Sequence, residues 1–247
     1  MITSVQNERV KQWRKLHKKK ERQKEHAFLI EGKHLIEEAQ KSGWHIKEVI
    51  VDEQYEVPTS IVDEKIFTVT SHVFQSIAQT ETPQGIAALV DMKTIERVPQ
   101  EEELVLLVDG VQDPGNLGTM IRTADAVGCS KVILGDGTVD PYNDKVVRAT
   151  QGSLFHVPLA QMNLEEAIDQ LKKEHFTIWA SALERARNFY DVTRTQKMAL
   201  IVGNEGTGIA PSLLKKADER VTIPIYGKAE SLNVSIATGI LLYGMRK

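Results

Sequence analysis

Leu104-Val105-Leu106-Leu107-Val108 contains no polar residue and no alternation. A strand with one wet face alternates apolar and polar side chains. An unbroken apolar run of this length instead reads as a strand covered on both faces, the arrangement of parallel sheets flanked by helices. Similar runs recur at 131–134, 176–180, 198–202 and 220–225, with helical stretches between them. The chain from Leu104 onward is therefore expected to be a parallel-sheet α/β domain.

Upstream of that run the pattern changes. Residues 4–24 read as one helix with a narrow stripe of Val5, Val10, Trp13 and Leu16. A short strand at Phe28-Leu29-Ile30, a turn at Gly32 and an amphipathic helix over 33–41 follow. Strand character returns at 46–51, 65–69 and 86–90, with a helix over 71–78. This is a small α/β unit. The stretch 91–103 breaks the pattern with Pro99 and Glu101-Glu102-Glu103, as a linker does. The expected domains are 1–98 and 99–247.

The 247 residues are 41% hydrophobic and 26% charged, with a formal net charge of -3. Disorder and membrane residence are both disfavoured by such a balance, and no stretch has the length of a transmembrane helix or the core of a signal peptide. Cys129 is the single cysteine, so no internal disulfide forms and a reducing, cytoplasmic setting is expected. The seven histidines show no paired spacing and no clustered carboxylates, so no metal site is expected.

Charge is unevenly spread. Arg9, Lys11, Arg14, Lys15, Lys18, Lys19, Lys20, Arg22 and Lys24 face only Glu8, Glu21 and Glu25 in the opening segment. Such a cluster fits a phosphate-contacting surface and equally a solvated helix face.

Three polar loops follow buried strands, where open α/β sheets place their ligands. The first, Asp109-Gly110-Val111-Gln112-Asp113-Pro114-Gly115-Asn116, leads into a helix over 117–127 closed by Gly128. Arg122 lies little more than one turn into that helix, where the macrodipole disfavours a cation. Its partner is either a structural carboxylate, Asp125 or Asp109, or a phosphate or active-site carboxylate. The second loop, Gly203-Asn204-Glu205-Gly206-Thr207-Gly208, has neither Rossmann nor Walker A spacing. Glu205 there would repel a phosphate, so a plain helix-start turn or a cationic partner fits better. The third, Glu230-Ser231-Leu232-Asn233-Val234-Ser235-Ile236-Ala237, opens the C-terminal helix, and Ser231 or Asn233 reads as an N-cap when taken singly.

Taken together, Asn116-Leu117-Gly118-Thr119-Met120-Ile121-Arg122, then 201–208, then Ile223-Pro224-Ile225 with 230–237, resemble in identity and order the three motifs of the SpoU family of RNA 2′-O-ribose methyltransferases, within the SPOUT class. The resemblance runs from about Leu104 to the C-terminus. The N-terminal part, with Phe28-Leu29-Ile30-Glu31-Gly32, is similar to the RNA substrate-binding domain often attached ahead of this catalytic domain.

The resemblance implies a trefoil knot in the C-terminal domain, which general rules of topology argue against. It also implies a homodimer and S-adenosylmethionine as cofactor, with Gly203, Ile223 and Leu232 holding the adenosine by their backbone. Arg122 resembles the family's catalytic arginine, with Asn116, Glu205, Ser231 and Asn233 as its polar partners. An arginine stays charged, so stabilising a phosphate or developing alkoxide suits Arg122 better than acting as a base. Glu205 would hold the guanidinium, and Asn233 or Ser231 would orient the ribose. The expected substrate is ribosomal RNA, free or in a ribosomal particle, with Arg14, Lys18, Lys19 and Lys20 on its phosphates. The alternatives are transfer RNA as substrate and a non-catalytic RNA-binding or ribosome-assembly protein on the same fold.

Overall fold

The computed structural model describes residues 1–61 and 65–246. It divides into two compact units, Met1–Lys93 with Asp140–Phe155, and Thr94–Val139 with His156–Lys247.

The first unit begins with α1 (Glu8–Lys15), α2 (Lys19–Glu25), β1 (Ala27–Glu31), α3 (Lys33–Lys41), β2 (Ile46–Asp52), β3 (Ile66–Val69), α4 (Ser71–Ile77) and β4 (Ile86–Asp91). Its sheet runs β1-β4-β2-β3, with β4 antiparallel to both neighbours and β3 parallel to β2. Val10 and Trp13 of α1 pack against Ile50, Val69, Val73 and Phe74, which explains the narrow apolar stripe in so basic a segment.

The single helix expected over 4–24 is instead two. The Asn7 side chain caps α1 by accepting from Arg9 N, and the helix ends at Leu16. Arg22 holds the break. Its side chain is 4% exposed and donates to the carbonyls of Leu16 at 2.8 Å and His17 at 2.9 Å, groups freed where a helix stops. The same guanidinium pairs with Asp140. In the sequence Arg22 is one more cation on a solvated face; in the fold it is a structural residue.

The second unit contributes β5 (Glu103–Val108), α5 (Pro114–Val127) and β6 (Lys131–Leu134) before the chain joins the first unit for α6 (Asp144–Thr150). It then adds β7 (Leu159–Gln161), α7 (Leu164–Lys173), β8 (Thr177–Ser181), β9 (Arg187–Asn188), β10 (Lys197–Val202), α8 (Pro211–Lys216), β11 (Glu219–Thr222) and α9 (Val234–Met245). The sheet order is β7-β6-β5-β10-β8-β11-β9, and every neighbouring pair is parallel. All six residues of β5 are buried, as the unbroken apolar run requires. Cys129 is buried, and burial pushes its thiol up to about 12, the state of an inert core residue.

Three boundaries move. The helix carrying Arg122 starts at Pro114, capped by Asp113, whose side chain accepts from Asn116 N. The strand expected over 220–225 spans Glu219–Thr222, and the last helix starts at Val234 with Asn233 as its cap. Ser231 therefore lies ahead of α9.

The excursion Asp140–Phe155 had no signal in composition, and a single cut at 98/99 does not separate it from the second unit. Within the first unit it supplies Tyr142 and Phe155 to an aromatic cluster. The Phe28 ring lies 4.8 Å from Tyr142 and 6.1 Å from Trp44, and Trp44 lies 5.3 Å from Phe155. The Trp44 indole N–H donates to Phe155 O at 3.1 Å, so the buried ring leaves no orphan donor.

Among the described residues no helix is long and apolar enough to cross a membrane, and no group of three His, Cys, Asp or Glu stands ready for a metal ion.

Candidate active site

Because every strand of the second sheet runs the same way, the loops after β5, β10 and β11 emerge at one end of it. The loop after β10 closes on itself. Asn204 and Gly208 exchange two backbone hydrogen bonds of 3.0 Å, and the Asn204 carboxamide oxygen accepts from the N–H groups of Gly206 and Thr207. At Gly203 a Cβ would be driven into the backbone of Gly208 and Ile209, so only glycine fits there. Asn204 also donates from Nδ2 to Gly110 O at 2.8 Å, tying this loop to the one after β5.

Glu205 completes the tie. Its carboxylate accepts from Gln112 N at 3.2 Å, Asp113 N at 3.1 Å and Asn116 Nδ2 at 3.0 Å. Burial alone would raise this carboxyl. The Asn116 amide and the backbone N–H groups of Glu205, Gln112 and Asp113 outweigh it and hold the carboxyl below its usual range. Asn116 accepts in turn from Asn233 Nδ2 at 3.0 Å. Asn233 Oδ1 takes the Ser235 N–H, the Ser235 hydroxyl and the Ile236 N–H, so it is both an N-cap and a member of the network. One polar chain, Glu205 to Asn116 to Asn233 to Ser235, thus joins three loops separated in sequence.

Arg122 stands differently from expectation. It is exposed on α5, and among the described residues no hydrogen bond or ion pair holds it. Neither structural carboxylate takes it: Asp125 pairs with His156 at 3.1 Å, and Asp109 accepts from Ala210 N at 2.7 Å. Glu205 does not grip it either: its carboxylate takes Gln112 N, Asp113 N and Asn116 Nδ2 instead. Ser231 is exposed and outside the network, while Ile223 and Leu232 are half-buried. Four contributors escaped the sequence reading: the Gln112 and Asp113 backbone, Asn204 and Ser235. Their residue types are ordinary loop and cap formers, and only the fold reveals what they bind.

In the first unit, Arg14 lies on α1, Lys18 caps α2 and Lys19 and Lys20 open it; all four are exposed. None joins an ion pair among the described residues, in contrast to Lys11 with Glu8 and Arg9 with Glu48.

Comparison with known proteins agrees with both units. Residues 103–243 match the SpoU rRNA Methylase family, and residues 7–88 match the MRM3-like substrate binding domain. The chain is 46% identical to the 23S rRNA (guanosine(2553)-2'-O)-methyltransferase RlmP of Bacillus subtilis, over 99% of this chain and 98% of that one. Among solved structures, an AdoMet-bound rRNA methyltransferase from Sinorhizobium meliloti is 35% identical with a TM-score of 0.90, covering 99% of this chain and 96% of the other. The SpoU methyltransferase AviRb from Streptomyces viridochromogenes, in complex with AdoMet, is 28% identical with a TM-score of 0.89 and covers 97% of both chains. On the family match and the full-length likeness to RlmP, this chain belongs to the SpoU rRNA methylase family.

Proposed function

We propose that this protein methylates a ribose 2′-hydroxyl of large-subunit ribosomal RNA, using S-adenosylmethionine. The observation that carries the reading is the hydrogen-bonded chain from Glu205 through Asn116 to Asn233, which fixes three ligand-bearing loops in one arrangement. The 46% identity to RlmP supports the substrate and the reaction.

The residues suit the cofactor. Ile223 and Ile225 are half-buried, yet from Ile225 to Leu232 the backbone makes no hydrogen bond with the described chain. Tyr226 to Ser231 between them are exposed, so this backbone is free to bond water or the edge of a purine. Gly203, Ile223 and Leu232 would hold the adenosine there. When bound, S-adenosylmethionine supplies an electrophilic methyl on a sulfonium.

The protein's task is then to place the hydroxyl in line and stabilise the charge it develops. Arg122, charged and without a partner in its own chain, is suited to the phosphate beside the target ribose or to the alkoxide. Glu205 and Asn116 keep the first turn of α5 in place, and Asn233 with Ser231 orients the ribose. Arg14, Lys18, Lys19 and Lys20 contact RNA phosphates from the N-terminal domain, 1–98 by sequence.

A homodimer belongs to the same reading. Ile236, Ile240 and Tyr243 form an exposed apolar stripe at i, i+4 and i+7 along α9, the kind of face a second copy would cover. The trefoil knot of the class and a cytoplasmic setting complete it.

The test is transfer of labelled methyl from S-adenosylmethionine to total RNA and ribosomal particles from cells lacking this protein, with Arg122→Ala alongside wild type. Label at one ribose 2′-oxygen of large-subunit rRNA, lost in the variant, is the expected result. Label on transfer RNA alone would replace the substrate. No label on any RNA or particle, with protein folded and cofactor bound, would overturn the enzyme.

A further inference from the structure

The loop between β11 and α9 carries a residue the methyl-transfer reading does not use. Tyr226 is 92% exposed, the most exposed of the large hydrophobic side chains among the described residues. Its surroundings are open, since a Cβ added at the adjacent Gly227 would meet nothing within 4 Å. Lys228, two residues on, is exposed and has no ion-pair partner among the described residues. A second exposed apolar side chain, Leu183, follows β8, the strand paired with β11. Both therefore hang from the same end of the sheet as the Gly203–Gly208 loop.

An aromatic ring left in water next to an unpaired cation is a poor device for stability and a good one for single-stranded nucleic acid. Sequence-tolerant recognition of such strands combines ring stacking with basic groups along the backbone. A ribose presented for methyl transfer belongs to a nucleotide drawn out of its stack, and the bases so exposed lose their neighbours. In sequence Tyr226 lies between Ile223 and Leu232, on the loop that the proposed function assigns to the adenosine.

We propose that Tyr226 is the platform on which an unstacked base at or beside the methylated ribose rests, with Lys228 on a neighbouring phosphate. The inference rests on the RNA methyltransferase reading above. It makes Tyr226 an RNA-binding residue and assigns it no part in the bond-making step.

The experiment compares wild type, Tyr226→Ala, Tyr226→Phe and Lys228→Ala in methyl transfer to an unmodified 23S rRNA transcript, with S-adenosylmethionine affinity, thermal melting and oligomeric state measured alongside. Wild-type transfer tests the underlying reading by itself. Given transfer, Tyr226→Ala is expected to lower kcat/KM for RNA by roughly ten- to a hundredfold, mostly through KM. Tyr226→Phe keeps the ring and should restore it; Lys228→Ala should weaken RNA binding by a smaller factor. Cofactor affinity and melting should stay at wild-type values. Tyr226→Ala with unchanged kcat/KM would overturn the proposal, as would a loss that Tyr226→Phe shares. A change of oligomeric state in Tyr226→Ala would also overturn it, marking the ring as a contact between copies.

Discussion

The carboxylate of Glu205 and the side-chain amide of Asn116 meet at 3.0 Å, although 89 positions separate them in sequence. Asn116 is the middle of the chain, since it also accepts from Asn233. Replacing it with alanine leaves the Asn233 amide without its acceptor and Glu205 with one donor fewer. Stability should fall by about 1 kcal/mol, while methyl transfer should fall about a hundredfold through misplaced loops. Urea unfolding and initial rates measured on one preparation separate the two effects, and equal small losses in both would argue against a positioning role.

Glu205 gives a pH signature. Its folded carboxyl lies below the usual value of 4.5, so the unfolded chain takes up the proton first as the medium is acidified. The stability from its hydrogen bonds is fully present above the unfolded pKa and is lost as pH falls through the folded one. Glu205→Gln should therefore be less stable than wild type at pH 7. The difference should narrow as pH drops below about 4.5 and vanish below the folded pKa. Denaturant midpoints at a series of pH values check this; a constant difference would mean the carboxylate's charge is irrelevant to the fold.

Arg122 makes the opposite prediction about stability. With no partner in the described chain, its removal exposes no buried group. Arg122→Ala should melt within about 0.5 kcal/mol of wild type yet lose methyl transfer by about 100- to 1000-fold. Arg122→Lys should not recover it, because an ammonium lacks the forked geometry. Near-normal turnover in the lysine variant would sink the role assigned to the guanidinium.

Two groups of cations in the opening segment should separate cleanly. Arg22→Ala strands Asp140 and the carbonyls of Leu16 and His17, and should destabilise the protein by about 3–5 kcal/mol. Charge reversal at Lys18, Lys19 and Lys20 should leave melting nearly unchanged. It should weaken RNA binding and flatten its logarithmic salt dependence by about 2, near 0.7 for each lost contact to a single strand. RNA affinity that ignores the triple reversal would move the binding surface elsewhere.

The contrast shows what is legible in a sequence of this kind. Five of the seven strands of the second sheet are readable because burial leaves an apolar run, as at Leu104 to Val108; β7 and β9, short and without a buried residue, carry no such signal. The residue types at the site are readable through their motifs. Who bonds to whom is not. Glu205 was expected to hold Arg122, but the path of its loop delivers the carboxylate to three N–H donors from 112, 113 and 116, and nothing periodic encodes that meeting. Arg22 reads as surface charge because its partner Asp140 is 118 positions away. Asn233 is readable as a cap, and it is one; the same carboxamide offers its oxygen to α9 and its nitrogen to Asn116, a bond that no cap signal announces.

The segment from Asp140 to Phe155 bears on how this protein is made. The first unit has only part of its core when its own first 93 residues have been synthesised, because Phe28 and Trp44 still lack Tyr142 and Phe155. At about 5–20 residues per second, roughly 3–12 s pass before the missing rings are polymerised. During that interval Phe28 and Trp44 have each other but not the two rings that complete their cluster. The order of translation thus sets a waiting period, and the first unit of the molecule is finished only after the second has begun.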